Sequence, residues 1–164
     1  MLHAPDRHVS TLVIALRGDA VAMIHRAKEP NAGLWSPPGG KVELHETALA
    51  NALRELREET GLVARAARLR AVVHELDPVR REVWLMFVFL VDCDADSTAG
   101  AADRIGGGPE GEAAWVRRSD LAGMATPPAD AHILAAALAS RPGVAFLDVR
   151  FRDGGLESVD VSWA

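Results

Sequence analysis

Three carboxylates fall close together in the run Arg54-Glu55-Leu56-Arg57-Glu58-Glu59-Thr60-Gly61. In a helix, at about 100° per residue, Glu58 and Glu59 stand within about 60° of Glu55. They share one face, beside an apolar stripe of Leu49, Ala52, Leu53 and Leu56. Like charges at this spacing destabilise an isolated helix by about 0.2–0.5 kcal/mol per pair, and Arg54 and Arg57 offset only part of that. Hard oxygen ligands clustered on a rigid helix are what Mg²⁺ or Mn²⁺ requires, and such ions commonly bridge to substrate phosphates. Gly39 and Gly40, ahead of the helix, let backbone approach a ligand with no side chain between. Taken alone, a Glu-x-x-Glu-Glu run also describes a solvated acidic face.

The wider spacing is more specific. Gly40, five residues, Glu46, seven residues, Arg54-Glu55-Leu56, one residue, Glu58-Glu59, one residue, Gly61-Leu62 resembles the Nudix box at every specified position, over residues 40–62. The lead-in Gly33-Leu34-Trp35-Ser36-Pro37-Pro38-Gly39 resembles the usual approach to that box. The resemblance implies an α+β fold, an α/β/α sandwich around a mixed sheet with a catalytic loop-helix and a C-terminal helix. It also implies hydrolysis of a nucleoside diphosphate linked to another moiety. Carried onto these residues, Glu55, Glu58 and Glu59 become ligands of Mg²⁺ (or Mn²⁺), joined by the Gly39 carbonyl. Arg54 would hold the glutamates and Glu46 would support the loop and the arginine. Either Glu55 or Glu59 would take a proton from the attacking water. A further carboxylate is expected from Pro109-Glu110-Gly111-Glu112, before the strand carrying Trp115; Glu110 is preferred to Glu112.

A looser resemblance reaches the oxidised-purine nucleoside triphosphatase branch. Arg26 matches a phosphate-contacting position and Asp130 one of two acids that bind the purine edge. Trp35, Gly40 and Lys41 complete the expected substrate contacts, with Trp35 equally suited to the core. Ala129 stands where the second acid would be, Pro127 where a stacking Trp would be, and Ser36 where an Asn would be. The expectation is therefore a nucleoside triphosphate pyrophosphohydrolase, with oxidised purines as one candidate substrate. ADP-ribose, nucleotide sugars or dinucleoside polyphosphates are the alternative. A non-catalytic nucleotide-binding module is disfavoured because every box glutamate is present.

Positioning elements follow from pattern. Strands are expected at 9–16 and 21–26, a loop over 27–39, and a helix from Glu46 to Thr60 stopped by Gly61. Further strands are expected at 65–76, 82–91 and 113–117. A glycine-rich loop fills 92–109, and a helix is N-capped by Ser119-Asp120. Residues 130–140 read as an Ala-rich helix, and 144–151 with 156–163 as a closing hairpin.

The chain has 164 residues, suited to one domain over 1–164, and 49% of them are apolar. A net charge of −5 argues against a nucleic-acid-binding surface. The single cysteine, Cys93, excludes an intramolecular disulfide and reads as a bystander. The longest apolar run, Val83 to Val91, is too short to span a membrane. No secretory signal is read at the start, so a cytoplasmic protein with a small nucleotide partner is expected. Monomer and homodimer stay open. Asp92-x-Asp94-x-Asp96 with Asp103 imitates a calcium loop, but Ser97 stands where that loop needs Gly, and it reads as solvated loop.

Overall fold

The computed structural model describes residues 4–93 and 104–164. In chain order the elements are β1 (Asp6–Arg17), β2 (Ala20–Arg26), β3 (Trp35–Ser36), β4 (Gly39–Lys41), α1 (Ala48–Thr60), β5 (Ala64–Asp77) and β6 (Glu82–Cys93). There follow β7 (Arg104–Gly108), β8 (Gly111–Arg117), a 3-10 helix (Arg118–Gly123), α2 (Asp130–Leu138), β9 (Ala145–Arg152) and β10 (Gly155–Trp163). The strands form one mixed sheet in the order β10-β9-β5-β6-β1-β2-β8-β7, with β3 on β2 and β4 on β1. β1 runs parallel to β6, and β5 to β9; the other pairings are antiparallel.

Alternation along the central strands builds two cores. Val13, Ala15, Ala22, Phe89 and Val91 pack with Ala52 and Leu56 of α1. Ile14, Val21, Met23, Val88 and Leu90 face the other way, onto Ile133, Leu134, Ala136 and Ala137 of α2. Period-two side chains on a sheet covered on both faces give this pattern. The result is the expected α+β sandwich, one helix on each side of a mixed sheet.

The sheet forks where the chemistry was anticipated. β2 pairs with β1 only at Leu16↔Val21 and Arg17↔Ala20. Further back along β1, the same edge takes β4 instead, with Ser10↔Lys41, Thr11↔Gly40 and Leu12↔Gly39. β3 adds to β2 opposite Ile24 and His25. Two strands of two and three residues thus wedge β1 and β2 apart and carry Gly39 and Gly40 into the gap.

Several boundaries differ from expectation. The 27–39 loop contains β3 and the start of β4, held by pairing with distant strands. α1 begins at Ala48, not Glu46, because Thr47 is the N-cap and its hydroxyl accepts from Ala50 N at 3.1 Å. Gly61 ends it in the left-handed region, with φ of 75°. The segment behind Ser119-Asp120 is a 3-10 helix, and its N-cap is Arg117, which makes no side-chain cap. α2 stops at Leu138. Within the 92–109 loop, Asp92 and Cys93 finish β6, and Arg104–Gly108 is a strand paired with β8. The calcium-like positions Asp94, Asp96 and Asp103 lie outside the described residues. β7 is glycine-rich for a packing reason: a Cβ on Gly107 would stand 2.8 Å from the Gly111 carbonyl oxygen.

The C-terminus of α2 is closed by a buried arginine on β5. Arg70 donates to the carbonyls of Ala137 (3.2 Å), Ala139 (2.8 Å), Arg141 (3.0 Å) and Gly143 (2.6 Å). Orphan carbonyls at a helix end carry partial negative charge, so a cation is well placed there. β9 then joins β5 and brings β10 onto the edge of the same sheet. Among the described residues, no helix is long and apolar enough to cross a membrane.

Candidate active site

The fork and α1 bring two of the three box carboxylates against Gly39 and Gly40. Glu59 is 8% exposed, and its Oε2 accepts the Gly39 N–H at 2.9 Å. The Glu55 carboxyl lies against Gly40, where a Cβ would stand 2.5 Å from Glu55 Oε1. Gly39 is equally confined, since a Cβ there would collide with the Thr11 carbonyl oxygen. Backbone packing thus requires glycine at 39, while Gly40 leaves the space that the Glu55 carboxyl occupies. Glu58 is placed differently: its side chain is 59% exposed, and its Oε2 accepts from Arg54 Nη1 at 3.0 Å.

Arg54 is the hub of this face. Its Nε donates to Glu46 Oε1 at 2.6 Å and its Nη2 to Glu46 Oε2 at 3.0 Å. Its Nη1 also lies 3.0 Å from Glu55 Oε1. The Arg54 fork, followed by the Asn51 amide, holds the Glu46 carboxyl well below the usual range, at about 2. Glu46 in turn holds the Arg54 guanidinium more firmly charged than usual.

Burial acts the opposite way on the inner pair. It pushes Glu55 upward, against the pull of Arg54. It lifts Glu59 to about 7, against the Gly39 N–H and with help from the charges of Glu55 and Glu110. Two desolvated carboxyls side by side repel one another, and a cation held between them would relieve that repulsion. Among the described residues no three Asp, Glu, His or Cys groups stand at metal-ligand spacing. Glu58 is the outlying member, drawn off by Arg54.

Glu110 sits at the tip of the β7–β8 hairpin, paired with Lys28 Nζ at 3.2 Å, and close enough to act on Glu59. Its backbone carbonyl also accepts the Ala27 N–H at 2.8 Å. Glu112 lies opposite His25 and lines an open cavity with Arg26 and Gly108. Arg26 bonds the Pro30 carbonyl through Nε at 3.1 Å, and its charge acts on both Glu59 and Asp130. Asp130, at the first turn of α2, is buried; burial and then the charge of Glu75 on β5 raise it to about 7. Trp35 stacks on His25 with ring centroids 4.9 Å apart, and packs against the α2-side core. Lys41 is not brought to the carboxylates: its ammonium lies 5.0 Å over the Trp84 ring. Cys93 is half-buried and its thiol is pushed up to about 11, in keeping with an inert position.

Sequence reasoning passed over Asn51. It is fully buried in α1 and links three segments of the site. Its Oδ1 accepts from Thr11 Oγ1 at 2.6 Å, and its Nδ2 donates to the Lys41 carbonyl at 2.8 Å and to Glu46 Oε2 at 3.0 Å. The available signal was an amide beside the apolar stripe, one helical turn before Glu55. Lys28 and Glu75 were also unforeseen, because only the folded sheet sets them beside Glu110 and Asp130.

The family model described as the NUDIX domain matches residues 6–137. The uncharacterized Nudix hydrolase YvcI of Bacillus subtilis is 33% identical over 111 residues, 65% of this chain and 66% of that protein. The 8-oxo-dGTP diphosphatase of Proteus vulgaris is 36% identical over 93 residues, 56% of this chain and 80% of that protein. The ADP-ribose pyrophosphatase of Methanocaldococcus jannaschii is 33% identical over 76 residues, 46% of this chain and 45% of that protein. Among solved structures, a MutT protein from Bacillus halodurans superposes with a TM-score of 0.75, covering 94% of this chain and 97% of that one. At 22% identity that likeness shows the fold alone. With the family model matching most of its length and the box residues gathered at the sheet fork, the chain belongs to the Nudix hydrolase family.

Proposed function

We propose that residues 1–164 act as one Nudix domain that hydrolyses nucleoside triphosphates, with Mg²⁺ or Mn²⁺, to a nucleoside monophosphate and pyrophosphate. The observation that carries this reading is that the charge of Arg26 reaches two acids. Its charge acts on Glu59, among the box carboxylates, and on Asp130, at the start of α2. A triphosphate laid past Arg26 would have its anhydride at the carboxylates and its base toward Asp130.

The donor set suits a hard divalent cation: Glu55, Glu58, Glu59, the Gly39 carbonyl and Glu110 (or Glu112) all offer oxygen. The space that a Cβ on Gly40 would fill keeps Glu55 free to approach. When bound, the cation neutralises diphosphate oxygens and lowers the pKa of water. This chain's residues do the rest. A carboxylate oxygen of Glu55 or Glu59 accepts the proton of the attacking water. The water oxygen bonds to phosphorus as the α–β anhydride bond breaks, and the pyrophosphate oxygen leaves with the electron pair. Arg54 positions Glu55 and Glu58, and Glu46 and Asn51 hold Arg54 and the loop. Arg26 binds phosphate, and Asp130 with Trp35 contacts the base.

A second reading, hydrolysis of ADP-ribose, draws on the name of the Methanocaldococcus relative, whereas that of the Proteus relative favours a triphosphate. Incubation with Mg²⁺ and a panel of (d)NTPs, oxidised (d)NTPs, ADP-ribose and diadenosine polyphosphates separates the two. Monophosphate plus pyrophosphate from triphosphates supports the first reading. Cleavage of ADP-ribose alone overturns it and keeps the box chemistry.

A further inference from the structure

A cavity of about 640 Å³ opens beneath the C-terminus of α2, away from the box carboxylates. β1 meets Gly39 at Leu12 but reaches this cavity at Leu16, four residues along. That is about 13 Å of strand. Leu16, Leu90 and Leu138 give the cavity an apolar lining, and the volume lies in the range of small-molecule pockets.

Its charged side chains, among the described residues, are all of one sign. Arg68, Arg70, Arg118 and Arg141 line it, and no carboxylate among the described residues does, in a chain whose net charge is −5. Asp19, in the β1–β2 turn, and Asp92, late in β6, lie outside the lining. Arg70 is committed to the carbonyls of Ala137 and Ala139 at the end of α2 and of Arg141 and Gly143 just beyond it, so its charge meets the partial negative charge of the helix end. That clamp also fixes the backbone bearing Ser140 and Arg141.

The other three guanidiniums are not used up. Arg141 stacks over Trp163 at 5.2 Å, which holds the group in place and leaves its N–H edges for a ligand. Arg118 forms a loose ion pair with Asp19, Nε to Oδ1 3.8 Å, too long for a hydrogen bond, so its N–H donors stay open. Arg68 makes no side-chain hydrogen bond or ion pair among the described residues. The Ser140 hydroxyl adds a neutral donor to the lining. Like charges around an apolar floor repel one another, and an anion between them reverses the sign of the interaction. Guanidinium forks match phosphate oxygens in shape as well as charge. Ser140 and Arg141 also follow the stretch 6–137 that the family model matches, so this wall is built by residues beyond it.

We propose that this cavity is a second binding site, separate from the box carboxylates, for a phosphorylated small molecule of mononucleotide size. The phosphate is held by Arg68, Arg118 and Arg141 with Ser140, and the remainder of the ligand covers Leu16 and Leu90. The site stands independently of the triphosphatase reading.

Backbone amide spectra of the ¹⁵N-labelled full chain, recorded in EDTA, test this with AMP and, separately, inorganic phosphate. AMP is expected to give saturable shifts at residues 68–70 and 138–144, with inorganic phosphate shifting the same amides more weakly. Replacing both Arg68→Ala and Arg141→Ala should weaken that response about tenfold, while leaving turnover at the box carboxylates unchanged. The Arg70 clamp is untouched in this protein. Should the double variant not fold, Arg68→Ala alone, on a side chain with no hydrogen bond or ion pair among the described residues, reads the same loss. Shifts confined to the surroundings of Gly39, Arg26 and Trp35 would overturn the proposal. So would a response at 138–144 that the variants leave intact, or none to either probe at millimolar concentration.

Discussion

Arg54 grips Glu46 through two parallel hydrogen bonds, and the same guanidinium reaches Glu55 and Glu58 with its remaining nitrogen, Nη1. One planar cation therefore ties the residue just ahead of the helix to two carboxylates on its face. The loop and the helix are registered by this fork and by Asn51, which bonds Glu46 and the Lys41 carbonyl together.

Arg54→Lys keeps the charge and loses the fork. The glutamates should then be misplaced by a fraction of an ångström to about 1 Å, and kcat should fall about 10- to 100-fold. Steady-state kinetics with a thermal melt checks this. Wild-type turnover in a folded Arg54→Lys protein would show that the fork is dispensable.

Glu46 should shape the acid limb of stability. An unfolded glutamate titrates near about 4.3, and the folded one at about 2. Between those values the unfolded chain binds more protons, so the stabilisation is present above about 4.3 and is lost as pH falls through 2. Glu46→Gln should therefore lower Tm clearly at pH 7 and progressively less toward pH 2. A Tm difference independent of pH would contradict the paired, ionised Glu46.

Asp130 should act with the opposite sign. The folded chain keeps its proton up to about 7, while the unfolded chain releases it near about 3.9. Stability is thus lost as pH rises from about 4 to 7, and the loss persists above. Asp130→Asn, which never ionises, should gain Tm relative to the wild type between pH 5 and pH 8. Calorimetry at the two pH values reads this directly; a gap that stays the same at both would mean Asp130 ionises at little cost.

Gly40→Ala tests the approach of Glu55 to the loop. The new Cβ would stand 2.5 Å from Glu55 Oε1, so the carboxylate must turn away. Turnover should drop about 100-fold or more with the fold retained by circular dichroism. An active Gly40→Ala enzyme would show that Glu55 works from another position.

The parts of this fold that were legible in the sequence are those set by local pattern. The apolar run from Leu12 to Leu16 announced a strand, and the structure buries it on both faces. The box spacing announced α1 and its Gly61 stop. What could not be read depends on distant partners. Trp35–Ser36 and Gly39–Lys41 are strands only because β2 and β1 pair with them, and their proline and glycine content reads locally as loop. Gly106, Gly107 and Gly108 look like a linker by composition, yet β7 needs small residues to pass close to the Gly111 carbonyl. Site residues divide likewise. Glu55, Glu59 and Arg54 declare themselves by spacing within one helix. Lys28, Asn51 and Glu75 have meaning only through Glu110, Thr11 and Asp130, each on another element. Lys41 shows the converse, since its neighbour Gly40 enters the site while its own ammonium turns to Trp84.

Most direct of all is turnover of a nucleoside triphosphate as Mg²⁺ is titrated, for the wild type and Glu59→Gln side by side. The buried carboxylate on Gly39 is at the centre of the proposed chemistry. The wild type should release monophosphate and pyrophosphate in a saturable, EDTA-abolished manner, and the variant should be slower by orders of magnitude with unchanged Tm or a higher one. Equal turnover by the two proteins, or hydrolysis indifferent to EDTA, would remove the box carboxylates from the reaction.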